Sequence, residues 1–401
     1  MSLNEGTKRA IRIAVVCISA YFINYVIRSI LSVCTPQMIG EEFFTKELVG
    51  TLSSICFIFY ACGQLFNGII GDKVNSKNML LIGFLLSGLA TLAVPILQNK
   101  AFLLVCFAFI GYGSSMLRGP LTKIISENTK IKQAQLICTL LTMFSFAGPL
   151  VASLLAMFFD WRTVFFTAGI ISVLMSVIVY IYLSFCSGRG EIVFNKNTSS
   201  GFKGIFEIFK LDDFVFYMAI NGISQIAGTS ITFWIPTYLS EHLKLNSETS
   251  SMVYSLTTFS TLFAPLLALI IYDYLIRDGV KLSLIMYLLS AVCFLAVRIV
   301  NAPIANIIML LLAEFFASGA AGVVWSVYIP KLASSGKVSS ANGVIDAFGY
   351  LMAAVANIVF SSSLKMFGWG GTVNLWYFAM FMGAAISIYK IVDIKNRRIK
   401  I

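Results

Sequence analysis

Four charged residues interrupt long apolar stretches of the sequence: Arg28, Arg118, Glu314 and Asp346. A charged side chain at the centre of a bilayer costs at least ~2.5–3.5 kcal/mol, so each of these residues needs a partner or a function. A guanidinium group presents a planar fork of donors that can hold a carboxylate or a phosphate through two hydrogen bonds. The two arginines therefore suggest a site for an anion.

Polar side chains accompany Arg28 at helical spacing. Asn24 precedes it by four residues, Tyr25 by three and Tyr21 by seven, so all three share its helical face. We expect this face and Arg118 to contact an anionic substrate. The alternative is that each arginine bonds to backbone carbonyl groups or to an acid and holds helices together.

Glu314 and Asp346 are the candidate acids for such a pairing. Glu314 is equally suited to be a proton carrier, and the sequence leaves both roles open. For Asp346 we predict a role in gating or helix packing. Asn221 and Gln225 give one further helix a polar face, which suits either donation to a substrate or hydrogen bonding between helices.

The elements that must position these residues are membrane-spanning helices. The chain of 401 residues is 58% hydrophobic and only 12% charged, and its mean hydropathy is +0.88. A helix needs roughly 20 apolar residues to cross the ~30 Å hydrocarbon core of a bilayer. Twelve stretches meet this requirement: Arg12–Val33, Leu48–Ile70, Met79–Leu97, Phe102–Ile125, Ala134–Phe159, Thr163–Cys186, Phe214–Leu239, Ser250–Leu275, Leu282–Val300, Ile304–Ile329, Ser339–Leu364 and Thr372–Val392.

The connection over residues 187–213 is the one long, polar interruption between these spans. It leaves six predicted spans on each side. We therefore expect an all-α membrane protein of two similar six-helix bundles, residues 1–186 and 214–401, joined by a cytoplasmic linker over residues 187–213.

Basic residues are concentrated on alternate connections of this predicted topology. Each connection on one side, counted with both termini, carries two or more Lys or Arg, whereas each connection on the other side carries one. By the positive-inside rule we expect both termini in the cytoplasm. The net charge of +11 is then a topology signal, and its scatter over short segments argues against a nucleic-acid partner.

The second connection resembles the signature of the major facilitator superfamily. It reads Gly68-Ile-Ile-Gly71-Asp72-Lys73, followed by further polar and basic residues. Gly68 permits close helix approach, Asp72 can cap or bridge to a neighbouring helix end, and Lys73 holds the loop on the cytoplasmic side. We expect Asp72 and Lys73 to act in coupling or gating.

Further segments resemble the organophosphate:phosphate antiporter, or sugar-phosphate permease, family within that superfamily. They are Tyr60-Ala-Cys-Gly63-Gln64, Asp160-Trp161-Arg162, Trp234-Ile-Pro236-Thr237-Tyr238 and Ala341-Asn-Gly343-Val-Ile-Asp346. The resemblance runs from the first predicted helix to the eleventh. It implies exchange of sugar phosphates or glycerol phosphate for inorganic phosphate.

The resemblance also implies a substrate site marked by a cation in the first helix, which Arg28 supplies. The family's lysine in the second helix is Gln64 here, and its arginine in the seventh helix is Gly228. Conversely, Arg118 stands where the family has an aromatic residue. We therefore expect a rearranged cationic site that also includes Tyr60 and Gln64.

These observations predict a secondary transporter that moves a small anionic metabolite, such as a sugar phosphate, an organophosphate or an acid sugar, by alternating access. A non-transporting sensor of a sugar phosphate and a proton-coupled exporter are the alternatives. No Gly-x4-Gly-Lys-Ser/Thr loop occurs, and no catalytic or metal-ligating constellation is present. We expect a monomer in a bacterial inner membrane without a cofactor, with a proton or phosphate as the coupling ion.

Overall fold

The computed structural model describes residues 5–39, 41, 43–96, 99–194, 203–300 and 302–399. Every regular element within these residues is helical. In chain order the α-helices are α1 (Glu5–Ile39), α2 (Lys46–Gly71), α3 (Ser76–Ala93), α4 (Lys100–Ser115), α5 (Arg118–Asn128), α6 (Ile131–Phe158), α7 (Trp161–Gly188), α8 (Lys203–Ile208), α9 (Phe214–Thr237), α10 (Ser247–Thr261), α11 (Ala264–Ile271), α12 (Gly279–Ile299), α13 (Pro303–Gly322), α14 (Ile329–Lys331) and α15 (Val338–Ile399).

Wider π-helical turns continue three of these helices over Tyr238–His242, Tyr272–Ile276 and Val323–Tyr328. Helix α15 contains a break at Gly368, whose φ of 64° is left-handed and therefore favours glycine. Counted through these turns and this break, twelve stretches of the described chain are long and apolar enough to cross a membrane. The twelve predicted spans are confirmed in number.

The fourth span is divided just before Arg118. Helix α4 ends at Ser115, and α5 begins at Arg118 with Pro120 in its first turn. Proline is tolerated there because the first turn of a helix leaves its backbone N–H groups without intrahelical acceptors. Arg118 thus lies at the start of a helix within the span.

Short polar side chains begin several of the helices. Asn75 caps α3, and its side-chain oxygen accepts from the backbone N–H of Lys77 at 3.1 Å. Asp160 caps α7 and accepts from the N–H groups of Arg162 and Thr163 at 3.1 and 3.3 Å. Each such cap satisfies donors that would otherwise lack a partner, and it fixes where a span begins.

The contacts divide the chain into two compact units. The first unit comprises Met1–Lys210 and Ile329–Ala347. Within it, α1 packs on α6, α2 on α4 and α3 on α7. Gly111 of α4 lies so close to Cys56 of α2 that a Cβ would collide with the Cys56 backbone, which is how small residues let membrane helices approach.

The second unit comprises Leu211–Tyr328 and Phe348–Ile401. Helix α13 is at its centre and packs against α9, α10, α11 and α12. A cluster of aromatic rings surrounds the fully buried Trp376, whose indole N–H donates to the Ser230 hydroxyl at 2.9 Å. Its ring neighbours are Tyr238, Phe294 and Phe360.

The predicted division into bundles 1–186 and 214–401 stays a prediction. The described parts of the predicted linker include α8, and residues 195–202 lie outside the described residues. Residues Ile329–Ala347, which the sequence analysis places in the second bundle, make their contacts within the first unit. That grouping brings Asp346 into the unit that holds both arginines.

Candidate functional site

Arg28 lies against aromatic rings in the first unit. Its guanidinium carbon is 3.8 Å from the centre of the Tyr60 ring, on α2, and 5.1 Å from the centre of the Tyr25 ring. A cation over the face of an aromatic ring is attracted by the ring quadrupole, by ~0.5–2 kcal/mol depending on exposure. These rings contact the guanidinium group and help to hold it in place.

Arg118 is 8% exposed and pairs with Asp346. Its Nη1 lies 3.6 Å from Oδ1 of Asp346, and its guanidinium carbon lies 5.8 Å from the centre of the Tyr21 ring. This pairing corresponds to the alternative that the sequence analysis left open for Arg118, with Asp346 as the acid, and the role of Arg118 stays a prediction. This pairing does not exclude substrate contact, because a guanidinium group has five donors.

A chain of polar side chains joins α2 to Asp346. The Gln64 amide donates to the Tyr60 hydroxyl at 2.6 Å, and the Tyr60 side chain hydrogen-bonds to the Asp346 carboxylate. Asp346 interacts electrostatically with both guanidinium groups. Tyr60 therefore contacts Arg28 through its ring and Asp346 through its hydroxyl.

Asn24 is fully buried, one helical turn before Arg28. Neither its amide nitrogen nor its amide oxygen makes a hydrogen bond to another described residue. A buried amide without partners costs about 1–3 kcal/mol, so a donor and an acceptor are kept here at a cost. This is the arrangement expected for a group that meets a substrate.

Asn221 and Gln225 lie in the second unit, on α9. Asn221 is 1% exposed and Gln225 is half-buried. The backbone of Gly349 approaches both, and a Cβ at Gly349 would lie 2.5 Å from the Asn221 amide nitrogen and 2.9 Å from Cγ of Gln225. Their polar face thus packs against α15 at Gly349, and both roles given for it in the sequence analysis stay predictions.

Glu314 also lies in the second unit, on α13, and is 6% exposed. No described Lys or Arg lies within 4.0 Å of its carboxylate, and its Oε2 makes no hydrogen bond to a described residue. Tyr254 of α10 interacts with it electrostatically. Of the two roles that the sequence left open, the described contacts disfavour the fixed salt bridge.

Asp72 caps the start of α15 in the first unit. Its carboxylate accepts from the backbone N–H of Ser339 at 3.0 Å and of Ser340 at 2.8 Å. Burial raises the pKa of the Asp72 carboxyl, while the hydrogen bonds from Ser340 and Ser339 and the charge of Lys123 act in the opposite direction. Lys73, by contrast, is exposed.

Lys123 belongs to this cluster, and the sequence analysis missed it as a site residue. It is 2% exposed, and its ammonium group donates to the carbonyl oxygens of Asp72 at 3.0 Å and Gly71 at 3.3 Å. The sequence analysis used Lys123 only as one of the basic residues that indicate the topology. Its place within the fourth predicted span, five residues after Arg118, was the available signal.

The first unit thus brings together most of the predicted substrate residues around two arginines and one acid. These are Tyr21, Asn24, Tyr25, Arg28, Tyr60, Gln64, Arg118 and Asp346. Asn221, Gln225 and Glu314 lie in the second unit. The functional roles of all these residues remain predictions.

Sequence comparison finds several transporters. The chain is 22% identical over 379 residues to the glycerol-3-phosphate transporter of Bacillus subtilis (strain 168), covering 86% of this chain and 84% of that protein. It is 22% identical over 301 residues to the chloroplastic ascorbate transporter of Arabidopsis thaliana, of which it covers 56%. A shorter match, 24% identical over 161 residues, is to the membrane sensor protein UhpC of Salmonella typhimurium, covering 38% of this chain and 36% of that protein.

Solved structures of low sequence identity share the fold. The transporter FucP in its outward conformation superposes with a TM-score of 0.75 at 13% identity, covering 94% of this chain and 99% of that one. The human organic anion transporter MFSD10 superposes with a TM-score of 0.75 at 12% identity, covering 96% and 100%. The predicted twelve-helix fold is confirmed.

A family model described as Major Facilitator Superfamily matches residues 17–357. The predicted resemblance is confirmed by this match and by the glycerol-3-phosphate transporter and UhpC among the relatives. Family and fold are those of multi-pass membrane transporters rather than enzymes. The chain belongs to the Major Facilitator Superfamily.

Proposed function

We propose that the chain is a secondary active transporter of a small anionic metabolite, such as a sugar phosphate, an organophosphate or an acid sugar. The observation that carries this proposal is the cluster of Arg28, Arg118 and Asp346 inside membrane-spanning helices. Two cations and one acid in a bilayer are kept only where they have a function. Guanidinium groups are the side chains best suited to a carboxylate or phosphate.

The relatives support an anionic substrate. The names of the matched proteins include a transporter of glycerol 3-phosphate and one of ascorbate, and a structural neighbour is an organic anion transporter. Identities near 22% leave the individual substrate open. The departures at Gln64 and Gly228 argue against a direct transfer of phosphate exchange.

Alternating access is the mechanism that we infer. In this superfamily two halves expose a central site to each side of the membrane in turn. The Asp72 cap on α15 suits a contact that is made in one state and broken in the other. The bias of Lys and Arg supports a cytoplasmic location of both termini, and we assign the protein to a bacterial inner membrane.

The experiment is a thermal-shift screen of the purified protein in detergent, followed by uptake into proteoliposomes. The ligands are phosphate, sugar phosphates, hexuronates and dicarboxylates. The variants are Arg28→Ala and Arg118→Ala, with Arg298→Ala as the matched control because Arg298 is exposed at the end of α12. We expect at least one anion to raise the melting temperature of the wild type and of the control but not of the site variants. An anion whose effect survives both site substitutions would overturn the proposal.

A sensor without transport activity is the second candidate, favoured by the match to UhpC. Uptake distinguishes the two. A ligand that shifts the melting temperature through Arg28 but is never accumulated or exchanged in proteoliposomes would favour the sensor. Exchange of the same ligand across the membrane would exclude it.

A further inference from the structure

We propose that the second unit binds one anionic phospholipid in a cavity between α12 and α15, with the lipid phosphate on Arg298. The cavity has a volume of about 670 Å³, and it is lined by Arg298 of α12 and by residues of α15 between Val359 and Phe378. Sites for small molecules have volumes of roughly 300–1,000 Å³. This lipid site shares no residue with the cluster around Arg28 and Arg118, so either site can exist without the other.

The cavity lies on an apolar surface of the membrane-spanning helices. Both α12 and α15 contribute stretches that are long and apolar enough to cross a bilayer. Four of the lining side chains are large, apolar and 45–73% exposed: Val359, Met366, Phe367 and Phe378. Apolar side chains on the outside of a spanning helix face hydrocarbon chains rather than water. The molecule that fills this cavity is therefore a component of the bilayer.

The cavity extends from the ends of the helices toward the bilayer centre. Arg298 is the last residue but one of α12, and Phe367 precedes the break of α15 at Gly368. Val359 and Phe378 are about nine and ten residues from that break, or roughly 14 Å along a helix that rises 1.5 Å per residue. A phospholipid has the same gradient of polarity, because its phosphate lies at the membrane surface and its acyl chains lie below.

Arg298 gives the cavity its charge. It is the one charged side chain among the described lining residues, and no described Asp or Glu lies within 4.0 Å of its guanidinium group. Glu241, which accepts from the Trp369 indole N–H at 3.2 Å, is not part of the lining. A guanidinium group can hold a phosphate through two hydrogen bonds. A zwitterionic lipid brings its own cation, which competes for the phosphate, so the cavity favours an anionic lipid.

Gly370 leaves room for the guanidinium group. A Cβ at this position would lie 3.3 Å from Nη2, 3.4 Å from Cζ and 3.6 Å from Nε of Arg298. The similar distances place the planar group face-on to the glycine. Its N–H donors lie in that plane and are therefore not directed at the glycine backbone. Asn374, one helical turn further along α15, adds an exposed amide that can donate to an ester carbonyl of the lipid.

The test compares two lipids with the same acyl chains on the purified protein in detergent. Dioleoylphosphatidylglycerol carries one negative charge, and dioleoylphosphatidylcholine is zwitterionic. Native mass spectrometry counts the bound lipids and gives the dissociation constant of each. We expect phosphatidylglycerol to bind its tightest site at least about tenfold more strongly than phosphatidylcholine binds. Equal affinities, or the absence of a saturable site, would overturn the proposal.

Arg298→Gln should weaken phosphatidylglycerol binding at least about tenfold, because the amide cannot replace a charged fork of donors. Phosphatidylcholine binding should change less. Arg277→Gln is the matched control, since it removes an exposed arginine just before the opposite end of α12, outside the cavity. The control should leave both dissociation constants unchanged. An equal loss in the two variants would show a response to overall charge and would overturn the proposal.

Gly370→Leu tests the cavity while Arg298 is kept. A leucine side chain would occupy the space beside the guanidinium group, so the binding of both lipids should weaken. Unchanged binding of both lipids would overturn the proposal, and this variant and the wild-type comparison serve if Arg298→Gln does not fold. Soluble anions lack the acyl chains that the apolar lining contacts, so Arg298→Ala remains a suitable control for their binding at Arg28 and Arg118.

Discussion

The guanidinium of Arg28 lies 3.8 Å above the ring of Tyr60, and the hydroxyl of that ring reaches Asp346. One aromatic side chain on α2 therefore touches a cation on α1 through its face and an acid on α15 through its edge. The ring contacts Arg28, whereas the hydroxyl hydrogen-bonds to Asp346 and favours the charged form of its carboxylate. Substitutions at position 60 separate these two contributions.

Tyr60→Leu should weaken anion binding more than Tyr60→Phe does. Removing the ring forfeits a cation–π contact of ~0.5–2 kcal/mol, a loss of roughly two- to thirtyfold in affinity. Phenylalanine keeps the ring face and loses only the hydrogen bonds to Gln64 and Asp346. Dissociation constants from thermal-shift titrations of the stabilising anion check this. Equal losses in both variants would show that the hydroxyl, not the ring, positions Arg28.

Asp72→Ala should destabilise the start of α15. The two hydrogen bonds to the backbone N–H groups of Ser339 and Ser340 act as a helix cap, and loss of such a cap costs about 0.5–2 kcal/mol. Hydrogen exchange of the two amides should accelerate in the variant. Asp160→Ala, which removes the cap of α7, is the control and should leave these amides unchanged. Unchanged exchange in Asp72→Ala would show that another group can replace the carboxylate.

Glu41 makes stability depend on pH. Hydrogen bonds from Arg162 at 2.5 and 2.8 Å, opposed by partial desolvation and supported by the Trp161 indole, lower the pKa of Glu41 from its ordinary value near 4.5. A carboxyl with a lowered folded-state pKa contributes stability that is present above pH 4.5 and lost as the pH falls through the folded-state pKa. The pair is 40% and 30% exposed, so the contribution is at most about 1 kcal/mol.

Melting temperatures recorded between about pH 6 and about pH 3 test this relationship. The wild type should lose stability more steeply than Glu41→Gln over the acidic part of the range. Arg162→Gln should show the same shallower slope as Glu41→Gln, because either substitution abolishes the pair. A steeper slope in Glu41→Gln would contradict the assigned sign.

Gly343→Ala should be destabilising, whereas Gly228→Ala should not. A Cβ at Gly343 would lie 2.7 Å from Cα of Gly68 and closer still to the backbone oxygen of Gln64, so helices α2 and α15 would have to separate. Overpacking of this kind costs about 1–3 kcal/mol. A Cβ at Gly228 meets no atom within 4 Å, and alanine favours helix over glycine. Comparable losses of melting temperature in both variants would refute the packing argument.

Glu314→Gln should keep or raise the melting temperature. Breaking a buried ion pair costs roughly 3–5 kcal/mol, but no described cation lies within 4.0 Å of Glu314, and the uncharged amide is cheaper to bury. If Glu314 carries the coupled proton, the variant should exchange substrate across the membrane but fail to accumulate it along a pH gradient. A large drop in melting temperature would instead assign Glu314 a structural partner.

The spans were predictable from sequence because the bilayer requires length and apolarity, which are local properties. The division of the fourth span at Arg118 has a local signal in Pro120, because proline restricts the helix in which it lies. The partner of Arg118 was not predictable. Glu314 and Asp346 both lie about two hundred residues away in the chain, and helical spacing relates only near neighbours. In the folded chain, helix packing brings Asp346 beside Arg118.

Lys123 shows the converse limit. Sequence rules treat a lysine near a span end as a solvated topology marker. Here the carbonyl oxygens of Gly71 and Asp72 receive its ammonium group, and it is 2% exposed. Those carbonyl oxygens come within reach of Lys123 only when α2 and α5 are packed together. The stacking of Arg28 on Tyr60 was out of reach for the same reason.

The close contact of Gly68 with Gly343 brings backbone against backbone. Glycine has no side-chain rotamers, so neither residue loses rotamer freedom when this contact forms. The rotamer entropy that usually accompanies the making of a helix interface, up to about 2 kcal/mol for a long side chain, is therefore absent here. A change in the α2–α15 contact would therefore cost no rotamer entropy at these two glycines. It would have to break the hydrogen bonds from the backbone N–H groups of Ser339 and Ser340 to Asp72.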